Sequence, residues 1–247
     1  MKLSFCTACM GRLHHLSQVY EQNIKAALSY SNVEFVLLDY HSPDQLGAWV
    51  KSAFPEWLES GILRYFRTTE PVLFHMAHAK NVAHRLAQGE VLVNLDADNS
   101  FRQGFAEEIA TLFANDARVI AKFSDYYRGC SGRIALRRDD FYRIGGYDEE
   151  MIGWGYEDQD LIARARSLGL ELRSFEKEHA LVIQHEDKER VRFSSDKNKQ
   201  KSDARNRALS QMKIAGGRLA ANAGREWGTA RIDACSERAH WGKFVKY

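Results

Sequence analysis

Two aspartates separated by one residue follow an apolar segment in the first half of the chain. Asp96 and Asp98 come directly after residues 91–95 (Val-Leu-Val-Asn-Leu), which predict a buried strand. Mg²⁺ and Mn²⁺ prefer oxygen ligands and commonly bridge the phosphates of a substrate. The pair therefore predicts either a site for a metal–polyphosphate complex or a strand-ending turn with two solvated acids.

A second group combines glycine, tryptophan and acidic residues. Residues 145–149 are Gly-Gly-Tyr-Asp-Glu, and residues 153–160 are Gly-Trp-Gly-Tyr-Glu-Asp-Gln-Asp. The indole of Trp154 offers a flat surface for a sugar ring, while Glu157 and Asp158 lie at an expected helix N-terminus, where the dipole favours ionised carboxylates. Such a carboxylate beside a sugar hydroxyl can act as a general base. The structural alternative is a capping cluster around a core tryptophan.

A histidine ends the third group. Residues 181–183 predict a short strand that leads to His185. A neutral imidazole at a strand end can ligate a transition metal. A single histidine is more often structural, so His185 gains its weight from following the two acidic groups in the chain.

Strand-like and helix-like segments alternate around these groups. Strands are predicted at residues 3–7, 33–38, 62–66, 91–95, 119–123 and 181–183, and helices at 12–29, from 42–44 onward, 77–87, 105–113, after Asp139 and Asp140 up to 145–146, and 158–168. This alternation predicts an α/β fold with a mostly parallel sheet and helices on both faces. Ligands bind such sheets at the carboxyl ends of strands, where Thr7, Asp39 and Asp96 are expected.

In this combination and order the motifs resemble those of GT-A glycosyltransferases. Asp96-Ala97-Asp98 resembles their DxD motif, and residues 153–160 resemble the GWGxEDxD segment of the β-1,4-galactosyltransferase group and related family 2 enzymes. Residues 183–185 are similar to the strand that carries their metal-binding histidine, and residues 79–83 with Gly89-Glu90 resemble the family 2 helix before DxD.

The similarity extends over about residues 3–187 and implies a GT-A, Rossmann-like domain over residues 1–187. Residues 1–99 would bind the nucleotide sugar and residues 100–187 the acceptor. A basic, partly helical extension over residues 188–247 would follow this domain.

The resemblance also implies the residues that hold the donor. Asp98 and His185 would ligate Mn²⁺ or Mg²⁺ together with the pyrophosphate of a UDP-sugar, and Asp96 would contact the ribose or assist the metal. The uridine and the rest of the donor would be held by residues at strand ends and in the preceding helix: Thr7, Arg12, Asp39, Lys80 and Asn81.

On the acceptor side, the resemblance makes Asp158 the base that deprotonates a hydroxyl of a glycan or glycoconjugate. Trp154 and Glu157 would shape the pocket of an inverting hexosyl- or N-acetylhexosaminyltransferase. Tyr156 replaces the usual small residue and Gln159 replaces an acid of the galactosyltransferases, so the identity of the acceptor does not transfer.

Two other functions remain open. A sugar nucleotidyltransferase also holds nucleotide and metal at strand ends, but only Gly11-Arg12 occupies the place of its glycine-rich basic loop. A catalytically inactive glycan-binding module could keep the same fold. GxGxxG and GxxxxGK[ST] patterns are absent from the sequence, which argues against dinucleotide oxidoreduction and P-loop phosphotransfer.

Charge is unevenly distributed along the 247 residues. The net charge is +2, but residues 186–247 contain 15 Lys and Arg against 8 Asp and Glu. This basic tail predicts one of three roles: peripheral contact with a membrane surface, a binding surface for an anionic acceptor, or a lid over the diphosphate that includes residues 240–243. The structural alternative is a solvated helical face. We do not expect nucleic acid as a partner, because no nucleic-acid motif accompanies the charge.

The remaining composition fits a globular protein in a reducing compartment. The sequence contains four cysteines, and the CxxC spacing of Cys6 and Cys9 has no second pair to complete a zinc site, so a structural role is expected. Neither an apolar signal core nor a segment of roughly 20 apolar residues is seen. The expected location is the cytoplasm, with peripheral contact at the inner face of the membrane.

Overall fold

The computed structural model describes residues 1–127, 129–184 and 186–234, apart from the side chains of Asp187 and Ala234. Strands in this part of the chain are β1 (Leu3–Cys9), β2 (Val33–Tyr40), β3 (Leu63–Thr68), β4 (Val91–Asn94), β5 (Asn99–Ser100), β6 (Val119–Lys122), β7 (Ile134–Arg137), β8 (Glu171–Ser174), β9 (Leu181–Val182) and β10 (Asp233–Ala234). Helices are α1 (Leu13–Ala27), α2 (Leu46–Ala53), α3 (Pro55–Ser60), α4 (Met76–Leu86), α5 (Phe105–Asn115), α6 (Arg138–Arg143), α7 (Glu157–Ser167), α8 (Asp187–Arg190) and α9 (Lys199–Ala215), with a 3₁₀ turn at Lys177–His179.

One large sheet organises the described residues, with the strand order β10-β3-β2-β1-β4-β7-β6-β8. The pairs β1–β2, β2–β3, β1–β4 and β6–β8 are parallel, whereas β10–β3, β4–β7 and β6–β7 are antiparallel. A small antiparallel pair, β5–β9, lies beside it. The predicted α/β fold with a mostly parallel sheet is therefore confirmed, and β7 is the strand that introduces antiparallel pairing beside β4.

Helices cover both faces of this sheet, as predicted. On one face, α1, α2 and α5 bury Tyr20, Val50, Phe105 and other apolar side chains against β1 and β2. On the other face, α4, α6 and α7 contribute apolar residues such as Phe141 and Leu161. Complete burial of one such side chain contributes about 1.5–3 kcal/mol, so the two apolar layers fix the positions of the strands between them.

The predicted helix start at residues 42–44 is wrong, because α2 begins only at Leu46. The Ser42 hydroxyl instead accepts a hydrogen bond from the Gly11 amide (2.7 Å) and donates one to Asp44 (2.8 Å). The other oxygen of Asp44 accepts from the Leu13 amide (3.0 Å) at the start of α1. Both polar residues thus satisfy the amides at the beginning of α1, a helix distant from them in sequence.

Within the described residues, the chain beyond residue 187 packs on the sheet domain. Helix α9 lies against α7 and buries Ser202, Asn206, Ser210 and Lys213 on its contact face. None of the helices within the described residues has both the length and the apolar character that crossing a bilayer requires. The cytoplasmic location and the membrane contact stay predictions, and the lid segment 240–243 lies outside the described residues.

Candidate active site

The two DxD aspartates occupy a tight turn after β4. The Asn99 amide donates to the Asp96 carbonyl (3.0 Å) and closes the turn, and the Ile183 amide donates to the Asp98 carbonyl (2.8 Å). Asn94 donates its side-chain amide to Asp96 Oδ1 (3.0 Å). The carboxylates are therefore held by β4 on one side and by the β5–β9 pair on the other.

The Gly-Trp-Gly segment needs its glycines because α9 lies directly against it. Gly153 and Gly155 have φ angles of 86° and 99°, which favour glycine. A Cβ on Gly153 would lie 2.8 Å from the Ser202 Cβ, and one on Gly155 would lie 2.4 Å from Asp203 Oδ1. Tyr156 also has a positive φ, 71°, immediately before α7 begins at Glu157. This strained turn directs the first carboxylates of α7 into the site.

A buried lysine joins this segment to the first half of the chain. Lys80 of α4 donates to Glu157 Oε1 (3.0 Å) and to Asp158 Oδ1 (2.7 Å). Burial alone would lower the pKa of the Lys80 ammonium, but the charges of Asp158 and Glu157 outweigh it and the pKa is raised. Lys80 is thus a fixed cation that binds the two predicted acceptor-side acids.

Asp158 and Asp96 share the floor of the site. A Cβ on Gly132, two residues before β7, would lie 2.8 Å from Asp96 Oδ2 and 2.9 Å from Asp158 Oδ2. Burial, together with the charges of Glu157 and Asp96 and against that of Lys80, raises the pKa of Asp158 to about 7. The pKa of Asp96 is raised as well, by burial and by the charge of Asp98 in opposition to Lys80. The DxD motif and the GWGxED segment therefore meet around a single glycine.

A cavity of about 690 Å³ opens above these groups. It is lined by seven of the predicted site residues, namely Arg12, Lys80, Asp96, Asp98, Trp154, Glu157 and Asp158. A cavity of this volume can hold a drug-sized ligand. The polar residues that line the cavity come from both halves of the chain.

Three predicted donor-binding residues, Thr7, Asp39 and Asn81, do not line this cavity. Thr7 lies inside β1, paired with Leu37, because the strand continues to Cys9; Ala8 and Met10 line the cavity instead. The carboxylate of Asp39 accepts from the Ser42 amide (2.7 Å) and the Tyr65 hydroxyl (2.6 Å). Their contacts with uridine stay predictions, and for both side chains such contact would require rearrangement.

Asn81 has a structural role in α4. Its side-chain amide donates to the Tyr147 carbonyl and to Glu149 Oε1 (both 2.8 Å), and its oxygen accepts from the Tyr147 amide (2.8 Å). These bonds fasten α4 to the loop that precedes the Gly-Trp-Gly segment. Contact of Asn81 with a donor therefore stays a prediction, whereas its neighbour Lys80 is the residue that reaches the cavity.

Arg12 lies at the cavity wall beside a polar cluster. Its guanidinium donates to Glu189 Oε2 (3.2 Å), and the imidazoles of His14 and His15 each lie 3.5 Å from the same oxygen. Burial lowers the pKa of Arg12, and the negative charge of Asp98 partly opposes this effect. Arg12 thus faces the DxD turn, as expected for a cation near a diphosphate.

His185 lies outside the described residues, so its predicted metal contact stays a prediction. Its neighbour Gln184 lines the cavity, and β9, which precedes it, pairs with β5 directly after Asp98. The chain on the amino-terminal side of His185 therefore runs beside the DxD turn.

Trp154 lines the cavity with one ring face covered by a residue that the sequence did not single out. The Lys199 ammonium of α9 lies 4.0 Å from the centre of the indole. The Trp154 amide and carbonyl also bond to the Ser202 hydroxyl (3.2 and 2.7 Å). Helix α9 of the basic tail thus packs against the predicted acceptor platform, and Lys199 lines the same cavity.

Part of the basic tail is neutralised inside the molecule. Lys213 is buried and donates to Asp148 (2.7 Å), with Glu150 at 3.0 Å, and Arg225 lies 3.4 and 3.2 Å from the same two acids. These pairs hold residues 199–225 against the loop that leads to Trp154. The sequence boundary at residues 187 and 188 is therefore crossed by many specific contacts.

Cys6, Cys9 and Cys130 are buried free thiols, whereas Cys235 lies outside the described residues. Burial raises the pKa of Cys6 and of Cys9. The thiolate that redox chemistry or zinc binding requires is therefore disfavoured, in agreement with the structural role expected for the CxxC spacing.

Three solved glycosyltransferases resemble the fold of this chain. The chain matches S. aureus TarS 1-349 in complex with UDP-GlcNAc at a TM-score of 0.68 and 16% identity, covering 92% of this chain and 68% of that one. The chain has a GT-A fold. The mannosyltransferase PcManGT from Pyrobaculum calidifontis, in complex with GDP-Man and Mn²⁺, matches at a TM-score of 0.59 and 18% identity, over 71% of this chain and 55% of that one.

A third GT-A match is GalNAc-T7 with UDP, GalNAc and Mn²⁺, at a TM-score of 0.57 and 16% identity, covering 70% of this chain and 42% of that one. In the structure of TarS 1-349 described without a ligand and in PcManGT, this chain spans only 59% and 55% of the matched chain. Residues 116–186 match the family model described as the N-terminal domain of galactosyltransferase. No curated protein matches the sequence.

Within this GT-A fold, the oxygen atoms of the residues that line the cavity suit a hard divalent cation. Asp96 and Asp98 offer carboxylate oxygens, and Gln184 adds an amide at the same cavity. The negative charge of Asp98 contributes to the raised pKa of Asp96, so a bound cation would relieve a repulsion that is already present. The described residues thus fit the Mn²⁺ or Mg²⁺ that the sequence predicts.

Proposed function

We propose that the chain is a metal-dependent, inverting glycosyltransferase that transfers a hexosyl or N-acetylhexosaminyl group from a UDP-sugar to a hydroxyl of a glycan or glycoconjugate. The observation that carries this proposal is the meeting of Asp96 and Asp158 around Gly132. It brings a group expected at the donor ribose or beside the metal next to the group expected at the acceptor. A direct displacement requires donor and acceptor to be neighbours in this way.

In this proposal, Asp158 accepts the proton of the acceptor hydroxyl as its oxygen attacks the anomeric carbon. The new glycosidic bond forms while the bond from the anomeric carbon to the diphosphate oxygen breaks, and UDP leaves with the electron pair. A pKa raised to about 7 suits a group that must take up a proton and release it again near neutral pH. Because the acceptor oxygen attacks the anomeric carbon on the face opposite the leaving diphosphate in a single displacement, the anomeric configuration inverts.

The charged residues around Asp158 have separate roles. Lys80 holds Asp158 and Glu157 in place and keeps one cation close to the reacting groups. Arg12, which lines the same cavity, would contact the leaving diphosphate. A divalent cation held by Asp98, with Asp96 beside it, would stabilise the charge that develops on this leaving group.

The test is a panel of nucleotide sugars with Mn²⁺, in which donor hydrolysis and transfer to glycan acceptors are measured. Asp158→Asn should reduce transfer by at least about a thousandfold, while the affinity for UDP and Mn²⁺ is retained. Asp125→Asn is the matched control, because Asp125 lines the same cavity but is 68% exposed and pairs with Lys122. Near-normal transfer by Asp158→Asn would refute the assigned base.

The panel, extended by a nucleoside triphosphate with a sugar phosphate, separates this proposal from the alternatives. Release of pyrophosphate from a nucleoside triphosphate and a sugar phosphate would identify a nucleotidyltransferase. Failure to hydrolyse or transfer from every donor, in spite of glycan binding, would identify an inactive binding module.

A further inference from the structure

Arg133 is a fully buried arginine beneath the DxD turn that has no part in the proposed chemistry. It precedes β7, and its guanidinium lies over the rings of Phe123 (4.7 Å) and Phe105 (5.8 Å). Burial lowers the pKa of Arg133 to about 10, against the raising effect of Cys130, Asp96 and Asp98. A cation buried at this depth is costly unless its bonds are well formed, so its partners indicate what it does.

The guanidinium bonds to both arms of the chain that approach the metal position. Its Nη1 donates to the His179 carbonyl (2.6 Å), and its Nη2 donates to the Leu181 carbonyl (3.0 Å) in β9. The same Nη2 donates to Asn99 Oδ1 (3.0 Å) in β5. Arg133 therefore joins the residue after Asp98 to the strand that leads toward His185.

The bond to Asn99 also determines which end of its amide faces Asp98. A guanidinium is a donor only, so the oxygen of Asn99 must face Arg133 and the nitrogen must face away. That nitrogen donates to Asp98 Oδ1 (2.8 Å) and to the Gly129 carbonyl (3.1 Å). The backbone of Asn99 is fixed as well, because its carbonyl accepts from Asn23 (2.9 Å).

We propose that Arg133 and Asn99 are positioning residues that orient the Asp98 carboxylate for a divalent cation. Arg133 orients the Asn99 amide, which in turn holds Asp98 Oδ1 by a hydrogen bond. The proposal rests on the metal-dependent function proposed above. Hydrogen bonds from such outer residues fix the direction of a carboxylate ligand, and their loss typically weakens metal affinity about 10–100-fold.

The experiment measures the affinity of the full chain for Mn²⁺ in the presence of UDP, from the electron paramagnetic resonance signal of unbound Mn²⁺. Arg133→Met and Asn99→Leu remove the bonding groups but keep the volume. Each should weaken Mn²⁺ binding about 10–100-fold. Because Arg133 acts through Asn99, the double variant should bind no more weakly than Asn99→Leu alone.

Arg137→Met is the matched control. Arg137 lies four residues further along in β7, contacts the Phe113 ring and carbonyl, and does not line the cavity in the part of the chain that the structure describes. It should leave Mn²⁺ affinity unchanged, although it removes a partly buried arginine from the strand that Arg133 precedes. Thermal unfolding of every variant separates loss of stability from loss of metal affinity.

Each result decides the inference. Unchanged Mn²⁺ affinity in Asn99→Leu overturns it while the proposed function stands, and this variant decides the question even where Arg133→Met does not fold. Additive losses in the double variant overturn the action of Arg133 through Asn99. A wild-type chain that does not bind Mn²⁺ with UDP overturns both the inference and the proposed function.

Discussion

Replacing Asp158 with asparagine should stabilise the folded chain at alkaline pH, in addition to removing the proposed base. The surroundings of this carboxyl raise its pKa from an ordinary value of 3.8 to about 7. Each pH unit of pKa corresponds to about 1.4 kcal/mol, so the ionised form is disfavoured in the folded state by about 4 kcal/mol at most. Since 20% of the side chain is exposed, water reduces this penalty, and about 2–4 kcal/mol is expected.

The sign of the pH dependence follows from proton binding. A carboxyl whose pKa is higher in the folded than in the unfolded chain binds its proton more tightly when folded. The wild-type protein therefore loses this stability as the pH rises from 3.8 to about 7. Asparagine carries no charge at any pH, so the Asp158→Asn variant should gain its full advantage above pH 7 and almost none near pH 4.

Differential scanning calorimetry at pH 5 and pH 8 measures this effect. In a chain of this size, 1 kcal/mol shifts the unfolding temperature by about 2–4 °C, so Asp158→Asn should unfold roughly 5–15 °C above wild type at pH 8. Asp160→Asn, in the same helix, is the control with the opposite sign. It loses bonds from Arg164 and Ser210 (both 2.7 Å) to a fully buried carboxylate and should cost about 3–5 kcal/mol.

An unfolding temperature of Asp158→Asn at pH 8 that is equal to or below that of wild type would refute the reasoning. It would mean that Lys80 compensates the Asp158 charge completely. The raised pKa would then be absent, and with it the physical reason for assigning this residue as a base near neutral pH.

Two further substitutions test a glycine that lines the cavity and the buried ion pair that holds α9. Gly132→Ala places a Cβ 2.8 and 2.9 Å from the carboxylates of Asp96 and Asp158, so kcat for transfer should fall at least about tenfold with little change in unfolding temperature. The control is Gly216→Ala, because the nearest atom to the added Cβ would be 3.4 Å away. Equal kcat values in the two variants would contradict the prediction. Lys213→Met leaves Asp148 with the weaker partner Arg225, so we expect a loss of about 2–4 kcal/mol in unfolding free energy by chemical denaturation. Wild-type stability of Lys213→Met would show that α9 does not depend on this buried pair.

Local patterns predicted the elements that carry the site. The apolar spacing of residues 12–29 matches α1, and the apolar runs at 33–38 and 91–95 match β2 and β4 to within two residues. The DxD turn and the start of α7 were also predicted, because glycine, acid and apolar residues lie close together in sequence there. In these cases a few adjacent residues contain the physical information that determines the local structure.

The remaining parts of the site depend on contacts between distant residues. Nothing near Gly132 in sequence indicates that two carboxylates will meet over it, and Arg133 is distinguished only by the aromatic rings and carbonyls that surround it after folding. Strand β8 was not predicted because its side chains are exposed and it lacks an apolar pattern. The contact of the Lys199 ammonium with the Trp154 ring likewise exists only because α9 packs against Trp154.

The order in which the ribosome makes the chain has a consequence for when this cavity can exist. Trp154 and the glycines beside it rest on α9, and the loop before them is bonded to Lys213 and Arg225. A nascent chain that has emerged only as far as β9 contains every predicted acidic group but lacks the support for its acceptor platform. Because a domain generally folds as a unit, the site can be completed only after α9 has emerged, later than all the strands that carry its acidic groups.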